Sequence, residues 1–177
     1  MKVDLQNLEI FKMKYFYLIV FLFLNIFYCR SQKGKSFKQT VHNINTKVIK
    51  LNQINKVIEE TYIKDHLIKS KFLGSITNEL GNVFSVVNTI HIIINKNKLR
   101  THINFVMIYS DSEFKGYYYL SYTDQLPNRI EKSKLIFSNA CEGDTIELNF
   151  NSGIPSILNL KCNSKSDIYE FIRKDDS

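Results

Sequence analysis

Two long apolar stretches joined by a short polar turn constrain the fold of this chain more than any other feature. Residues 83–94 and 99–110 are rich in β-branched and aromatic side chains, and the Asn-Lys-Asn-Lys segment between them favours a turn. The pattern predicts an antiparallel hairpin. If the middle two residues of that segment form a two-residue loop, Val86 lies opposite Met107 and one face of the hairpin is almost wholly apolar.

The same predicted register places polar side chains on the other face, with Thr89 opposite Asn104 and His91 opposite His102. Two adjacent imidazoles can bind a metal or respond to mildly acidic pH. A structural metal site needs four ligands, and no Cys, His or Asp spacing in the chain supplies the others. We therefore expect no metal and no cofactor, and we keep His91 and His102 as candidate contacts for a ligand or a protein.

The second half of the chain contains further short alternating segments, which are typical of strands. Together with the hairpin they predict an antiparallel meander of about 5–7 strands. The segments are 116–123, 134–140, 144–151, 155–162 and, as a final strand or helical turn, 167–174.

Between residues 41 and 73 the apolar residues recur at steps of three and four, with lysines between them. This spacing predicts an amphipathic helix, with Gly74 as its stop. We expect the helix over about 52–73, whereas Thr46–Leu51 could instead be a strand. The predicted fold class is α+β, in which one long amphipathic helix packs on the meander.

An uncharged apolar run, YFYLIVFLFLNIFY, occupies residues 15–28 and follows Lys12 and Lys14. A basic flank before an apolar run of about 7–15 residues is the layout of a secretory signal peptide. A membrane-spanning helix needs about 20 apolar residues, which is more than this run contains. The predicted organisation is a signal peptide or N-terminal anchor helix over 1–31, a linker over 32–40 and a single α+β domain over 41–177.

Two alternatives to a cleaved signal stay open. Cys29 could be the acylated cysteine of a lipoprotein, or the run could be retained as a membrane anchor. Met13 is an alternative start, because it leaves a compact basic segment before the run. We expect an exported protein, periplasmic or extracellular, with the lipoprotein and the anchored form as alternatives.

Cleavage before Gln32 would leave two cysteines, Cys141 and Cys162. An even number of cysteines in an oxidising compartment indicates a disulfide. A hairpin of 144–151 with 155–162 would bring the two sulfurs together at its open end. We predict this disulfide, with two buried free thiols or a reactive Cys141 as the alternatives.

The formal charge of +7 comes from 24 basic and 17 acidic residues. Residues 33–73 contain nine lysines and three acidic residues, whereas residues 74–177 contain eleven basic and twelve acidic residues. Only four of the basic residues are arginines, which make most bidentate contacts to bases and phosphates. We therefore expect no nucleic-acid partner. The basic segment is either a solvated face or, with the run at 15–28, a contact with anionic lipid headgroups.

A cluster of tyrosines is the most concentrated aromatic feature of the chain. Consecutive residues of a strand point to opposite faces, so at least one of Tyr118 and Tyr119 should lie on the less buried face. Tyrosine serves both in cores and at binding surfaces. The candidate contacts for a ligand or a protein are Tyr117, Tyr118, Tyr119 and Tyr122.

No catalytic motif accompanies these features. The chain contains no G-x-S-x-G, no H-E-x-x-H, no glycine-rich phosphate loop and no calcium-loop pattern. The predicted function is a non-enzymatic exported domain that binds a protein or a small ligand across its sheet. The alternatives are an envelope hydrolase with a His/carboxylate site and a membrane-anchored envelope protein that retains residues 15–28.

Overall fold

Strands dominate the structure, a computed structural model that describes residues 36–138, 145–162 and 165–176. These residues form one long helix, ten strands and two short 3₁₀ helices, at Thr123–Gln125 and Lys174–Asp176. The helix and strands are α1 Phe37–Leu51, β1 Val57–Ile63, β2 His66–Thr77, β3 Val83–Ile94, β4 Arg100–Ser110, β5 Glu113–Leu120, β6 Arg129–Glu131, β7 Lys134–Phe137, β8 Ile146–Asn149, β9 Ile157–Cys162 and β10 Lys165–Arg173.

The strands form two antiparallel sheets. The large sheet has seven strands in the order β1-β2-β3-β4-β5-β10-β9, and the small sheet has three in the order β6-β7-β8. The first five strands of the large sheet follow one another as a meander, and β10 and β9 return to extend it beyond β5. The α+β class predicted from the sequence is confirmed.

The predicted segments 1–31 and 32–35, with Cys29 and the apolar run, lie outside the described residues. The helix begins at Phe37, so residues 37–40 of the predicted linker belong to α1. No helix in the described part of the chain is both long and apolar enough to cross a membrane.

The prediction of a helix over 52–73 is wrong. The helix is α1, over 37–51, and the chain after it forms β1 and most of β2. Asn52 and Asn55 both adopt positive φ, a left-handed conformation that ends a helix. Gly74 does not stop a helix either, because it lies at a bulge within β2 with φ of +125°.

The β3–β4 hairpin forms as predicted, but its register is shifted by one residue. Val86 pairs with Ile108, and Met107 pairs with Val87. The loop has three residues instead of two, and Lys98, its last residue, adopts a left-handed conformation with φ of +61°. A three-residue loop adds one residue to the connection between β3 and β4, and the pairing of the two strands shifts by one residue. The side chain of Asn95 stabilises it by accepting the N–H of Leu99 at 2.9 Å.

The shifted register is stable because side chains on both faces of the β3–β4 hairpin are buried. Val86 and Ile108 join a core shared with the small sheet, whereas Val87 and Met107 join a core under α1. A one-residue shift moves each side chain to the opposite face. Since both faces of this hairpin are apolar, the loop geometry sets the register.

The predicted hairpin between 144–151 and 155–162 is also wrong. Within the described residues, β8 pairs with β7 and β9 pairs with β10. Leu148 and Leu158 still meet in the same core, through packing between the sheets.

The junction of β5 and β10 requires a residue without a side chain. Gly116 has φ of +152° and pairs with Arg173. A Cβ atom at Gly116 would lie 2.3 Å from the carbonyl oxygen of Ile172, well inside contact distance. The glycine therefore allows β10 to approach β5 and extend the sheet.

Candidate functional site: a half of the sheet that the helix leaves open

The helix covers only part of one face of the large sheet. The side chains of Val41, Ile44 and Val48 are buried in the core under α1, together with Ile68 and Phe72 of β2. The helix packs against β1, β2 and β3. β4 lies at the edge of the covered part, because its Met107 and Tyr109 belong to the core under α1, and β5, β10 and β9 continue this face of the sheet beyond the helix.

We call the surface of these four strands on the helix side the open half. Strand alternation places its side chains opposite those of the core shared with the small sheet, which include Tyr118 and Phe171. Its apolar members are Phe105, Phe114, Tyr117, Tyr119, Ile157, Ile168 and Ile172. Three of them are about half exposed or more, namely Tyr119 (48%), Ile157 (53%) and Ile168 (63%).

Aromatic rings in mutual contact form the centre of the open half. The ring of Phe105 lies 5.4 Å from that of Tyr117 in an edge-to-face arrangement and 5.7 Å from that of Tyr119. Phe114 stacks on Tyr117 at 6.4 Å. Edge-to-face and offset contacts of this kind hold rings in defined orientations. The open half therefore presents a preorganised aromatic surface.

The structure separates the four predicted tyrosines. Tyr117 and Tyr119 lie on the open half, and the exposure of Tyr119 confirms that one of Tyr118 and Tyr119 is on the less buried face. Tyr118 is fully buried on the opposite face, where its hydroxyl donates to the carbonyl of Pro155 and burial raises its pKa. Tyr122 is 64% exposed in the connection after β5, outside the open half.

A buried polar network marks the boundary between the helix and the open half. Asn45 of α1 donates its Nδ2 to the hydroxyl of Tyr109 at 3.1 Å and accepts the hydroxyl of Thr89 at 3.0 Å. Burial raises the pKa of Tyr109 to about 12, so its hydroxyl remains protonated. These bonds join α1 to β3 and β4. The signal in the sequence was an asparagine on the apolar face of the helix.

The predicted pairing of His91 with His102 is wrong, because the register shift places them on opposite faces. His91 lies under α1, where its Nε2 atom is 2.9 Å from Nδ1 of His66 and its ring is 4.5 Å from that of Phe37. Burial, and then the neighbouring His66, lower the pKa of His91. The sequence pattern missed this pair, because it assigned residue 66 to a helix.

His102 lies instead beside the hydroxyl of Thr123, at 3.2 Å from Nδ1 to Oγ1. The hydroxyl donates its proton to Oδ1 of Asn104 at 3.0 Å. It therefore accepts from His102, and an imidazole that donates to a hydroxyl does not activate it as a nucleophile. In the part of the chain that the structure describes, no group of three or more His, Cys, Asp or Glu side chains could hold a metal ion.

The predicted disulfide between Cys141 and Cys162 stays a prediction, because Cys141 lies outside the described residues. The hairpin that was expected to bring the two together does not form. The backbone of Cys162 pairs with that of Lys165 at the start of the β9–β10 hairpin.

Comparison of the chain with protein families, with curated proteins and with solved structures finds no match. The candidate site is therefore identified from its geometry alone.

Proposed function

We propose that this protein is an exported, non-enzymatic binding domain that holds a partner protein on the open half of its sheet. The observation that carries the proposal is the uneven coverage of one sheet face. One half is buried by α1, and the other half exposes aromatic and aliphatic side chains, of which Ile168, Ile157 and Tyr119 are the most exposed. Exposed apolar side chains grouped on one face of a sheet are typical of interaction sites. The exposed Glu170 lies on the same face, opposite Ile157.

The shape of the open half favours a macromolecule. Four strands spaced about 4.8 Å apart give a surface about 19 Å wide, whereas small molecules are bound in concave pockets. An α-helix is about 10 Å in diameter. An amphipathic helix of the partner therefore fits beside α1, with its apolar face on Phe105, Tyr117 and Tyr119.

The residue types of the open half also suit a protein interface. Tyrosine and phenylalanine are enriched at such interfaces, and a few aromatic anchors supply most of the binding energy. Tyr119 is the best candidate anchor, because about half of its surface is available to a partner and its ring is held by Phe105.

Export is part of the same proposal and is supported by the sequence alone. The run at 15–28 follows Lys12 and Lys14 in the layout of a signal peptide. Determination of the mature N-terminus tests it. A chain that starts at Gln32 supports a cleaved signal, an acylated start at Cys29 indicates a lipoprotein, and retention of 15–28 indicates an anchor.

A matched pair of exposed tyrosines tests the binding proposal. A photo-crosslinking phenylalanine analogue replaces Tyr119 in one version of the full-length chain and Tyr122 in another, and both are irradiated in producing cells. We expect a defined adduct from position 119 and none from position 122. The crosslinked protein is then identified and purified.

Affinity for that purified partner provides the decisive measurement. Tyr119→Ala should weaken binding by about tenfold or more, as expected for loss of an aromatic anchor, whereas Tyr122→Ala should change it by less than about twofold. Thermal melting shows whether each variant is folded. If Tyr119→Ala lowers stability and leaves the affinity unchanged, Tyr119 packs the domain and does not bind a partner, and the proposal fails.

A further inference from the structure

Two neighbouring connections at one end of the large sheet carry an excess of positive charge. They are the β1–β2 turn at 64–65 and the β3–β4 connection at 95–99, and they lie side by side because the N–H of Ile94 donates to the carbonyl of Asp65 at 2.8 Å. We call residues 64–65 and 95–100 the basic tip. It contains one acidic residue, Asp65, and four basic residues, Lys64, Lys96, Lys98 and Arg100.

The four cations of the basic tip are available to a partner. All four residues are exposed, and within the described ranges none of them takes part in an ion pair. The opposite end of the sheet has the opposite charge, because the segments 78–82, 111–113 and 174–176 contain five acidic residues and one lysine. Among the described residues, the two ends of the sheet therefore differ in sign.

An exposed leucine lies among these cations. Leu99 is 64% exposed and has a basic residue on either side. Its backbone is fixed by Asn95, whose Oδ1 accepts the N–H of Leu99 at 2.9 Å and whose N–H donates to the carbonyl of Leu99 at 3.0 Å. Ile63, beside Lys64, is 51% exposed. Cations next to apolar side chains suit a membrane interface, where charged headgroups border the acyl chains.

The chain enters the domain near the same end. Phe37, the first residue of α1, has its ring 4.5 Å from that of His91, near the end of β3 that leads to the basic tip. The sequence before Phe37 includes the apolar run at 15–28. The domain is therefore connected, near its basic end, to the segment for which the sequence predicts export or anchoring.

We propose that the basic tip binds the surface of a membrane that contains anionic lipids. Its lysines and arginine contact the lipid phosphates, and Leu99 enters the acyl region between them. Leu99 favours lipid over nucleic acid, because a phosphate backbone offers no apolar layer to a leucine. The basic tip is an end of the sheet and the open half is one of its faces, so this proposal does not depend on the partner protein.

Vesicle binding tests the charge requirement, with the protein as isolated from producing cells. Partition coefficients are measured for vesicles of phosphatidylcholine and for vesicles that also contain about 30% of the anionic lipid phosphatidylglycerol. Their ratio reports the electrostatic contribution, because an apolar contact contributes to both. We expect a ratio of about tenfold or more, since each basic residue near an anionic surface strengthens binding by about fivefold. A ratio near one overturns the proposal.

Matched pairs of lysine variants locate the contact. Lys96→Gln combined with Lys98→Asn should lower the ratio by about tenfold or more. Asparagine is chosen at position 98 because it tolerates the positive φ found there. The control combines Lys47→Gln with Lys50→Gln, two exposed lysines about 15 Å or more along α1 from Phe37, which is beyond the Debye length of about 10 Å. This control should change the ratio by less than about twofold. Equal losses from both pairs would indicate attraction by overall charge and overturn the proposal.

A matched pair of exposed leucines tests insertion. Leu99→Ala should weaken binding to the anionic vesicles by about fivefold or more, because less apolar surface leaves water. Leu80→Ala, at a 75% exposed leucine in the β2–β3 turn at the opposite end, should leave binding unchanged. Melting curves verify that all variants are folded. If the two leucine variants bind equally well, Leu99 does not enter a membrane and the proposal fails.

Heparin provides a soluble polyanion for comparison. If heparin retains the wild-type protein but not the variant with both tip lysines replaced, and the vesicle ratio is near one, the basic tip binds an acidic macromolecule other than a membrane. That result overturns the proposal.

Discussion

The two halves of the helix-side sheet surface are built from similar strands but differ in how far their side chains are buried. Under α1, the aliphatic side chains of Ile44, Ile68 and Val87 are fully buried. On the open half, Ile157 and Ile168 are more than half exposed, although their strands also alternate. Alternation determines which residues share a face, and the element that packs on that face determines whether they are buried.

The covered half also contains polar residues that pair across elements. Asn45 bonds with Thr89 and Tyr109, and His66 lies against His91. An apolar helix face alone would pack on any apolar part of the sheet, whereas satisfied buried hydrogen bonds require one arrangement. We infer that the polar pairs hold α1 over β1–β3 and so leave the open half free.

Truncation of matched isoleucines should have the largest effect. Ile44→Ala creates a cavity under the helix and should lower the free energy of unfolding by about 2–5 kcal/mol, whereas Ile168→Ala on the open half should change it by less than about 0.5 kcal/mol. Urea denaturation of both variants measures the difference. Equal losses would show that the open half is covered in the native protein.

Removal of the boundary asparagine should have a smaller effect. Asn45→Ala leaves the hydroxyls of Tyr109 and Thr89 without their partner and should cost about 1–3 kcal/mol. Asn43→Ala is the matched control, because Asn43 is exposed on the same helix. Denaturation midpoints compare the two variants. Similar midpoints would mean that the network does not hold the helix in place.

Acidification should have a modest effect, through His91. Its pKa in the unfolded chain is near 6.5, and burial and then His66 lower it in the folded protein. Below pH 6.5 the unfolded state therefore binds more protons, so the free energy of unfolding falls as the pH falls. The loss begins near pH 6.5 and is complete below the lowered folded pKa.

Denaturation at neutral pH and at about pH 5 measures this dependence. His91→Gln should make it shallower, whereas His102→Gln should leave it unchanged, because His102 is exposed on the opposite face. A wild-type profile that is flat over this range, or one that only His102→Gln flattens, would contradict the role of His91.

The strands were predictable from the sequence because 83–94 and 99–110 are long, rich in β-branched and aromatic residues, and separated by a segment that favours a turn. The helix was predicted in the wrong place, since the β-branched residues after Leu51 also follow three- and four-residue steps. The helix ends at Leu51 because Asn52 adopts positive φ, a backbone conformation that the spacing of apolar residues does not indicate. The hairpin register likewise depends on the left-handed conformation of Lys98, which few lysines adopt.

The candidate sites were predictable only in part. Three consecutive tyrosines required one to face outward, and Tyr119 does. The His66–His91 pair depends on the register between β2 and β3, and most of β2 lies within the segment that was predicted to be a helix. Contacts between strands cannot be derived when one of the strands is taken for a helix.

The return of β10 to pair with β5 has a consequence for the order of assembly. The strands β1–β5 pair with their neighbours along the chain, so they can associate as soon as they leave the ribosome. The open half also needs residues 157–173, which are made after β1–β5 and must close a long loop to reach β5. A partner that requires all four strands therefore distinguishes a chain in which β10 has paired with β5 from one in which it has not.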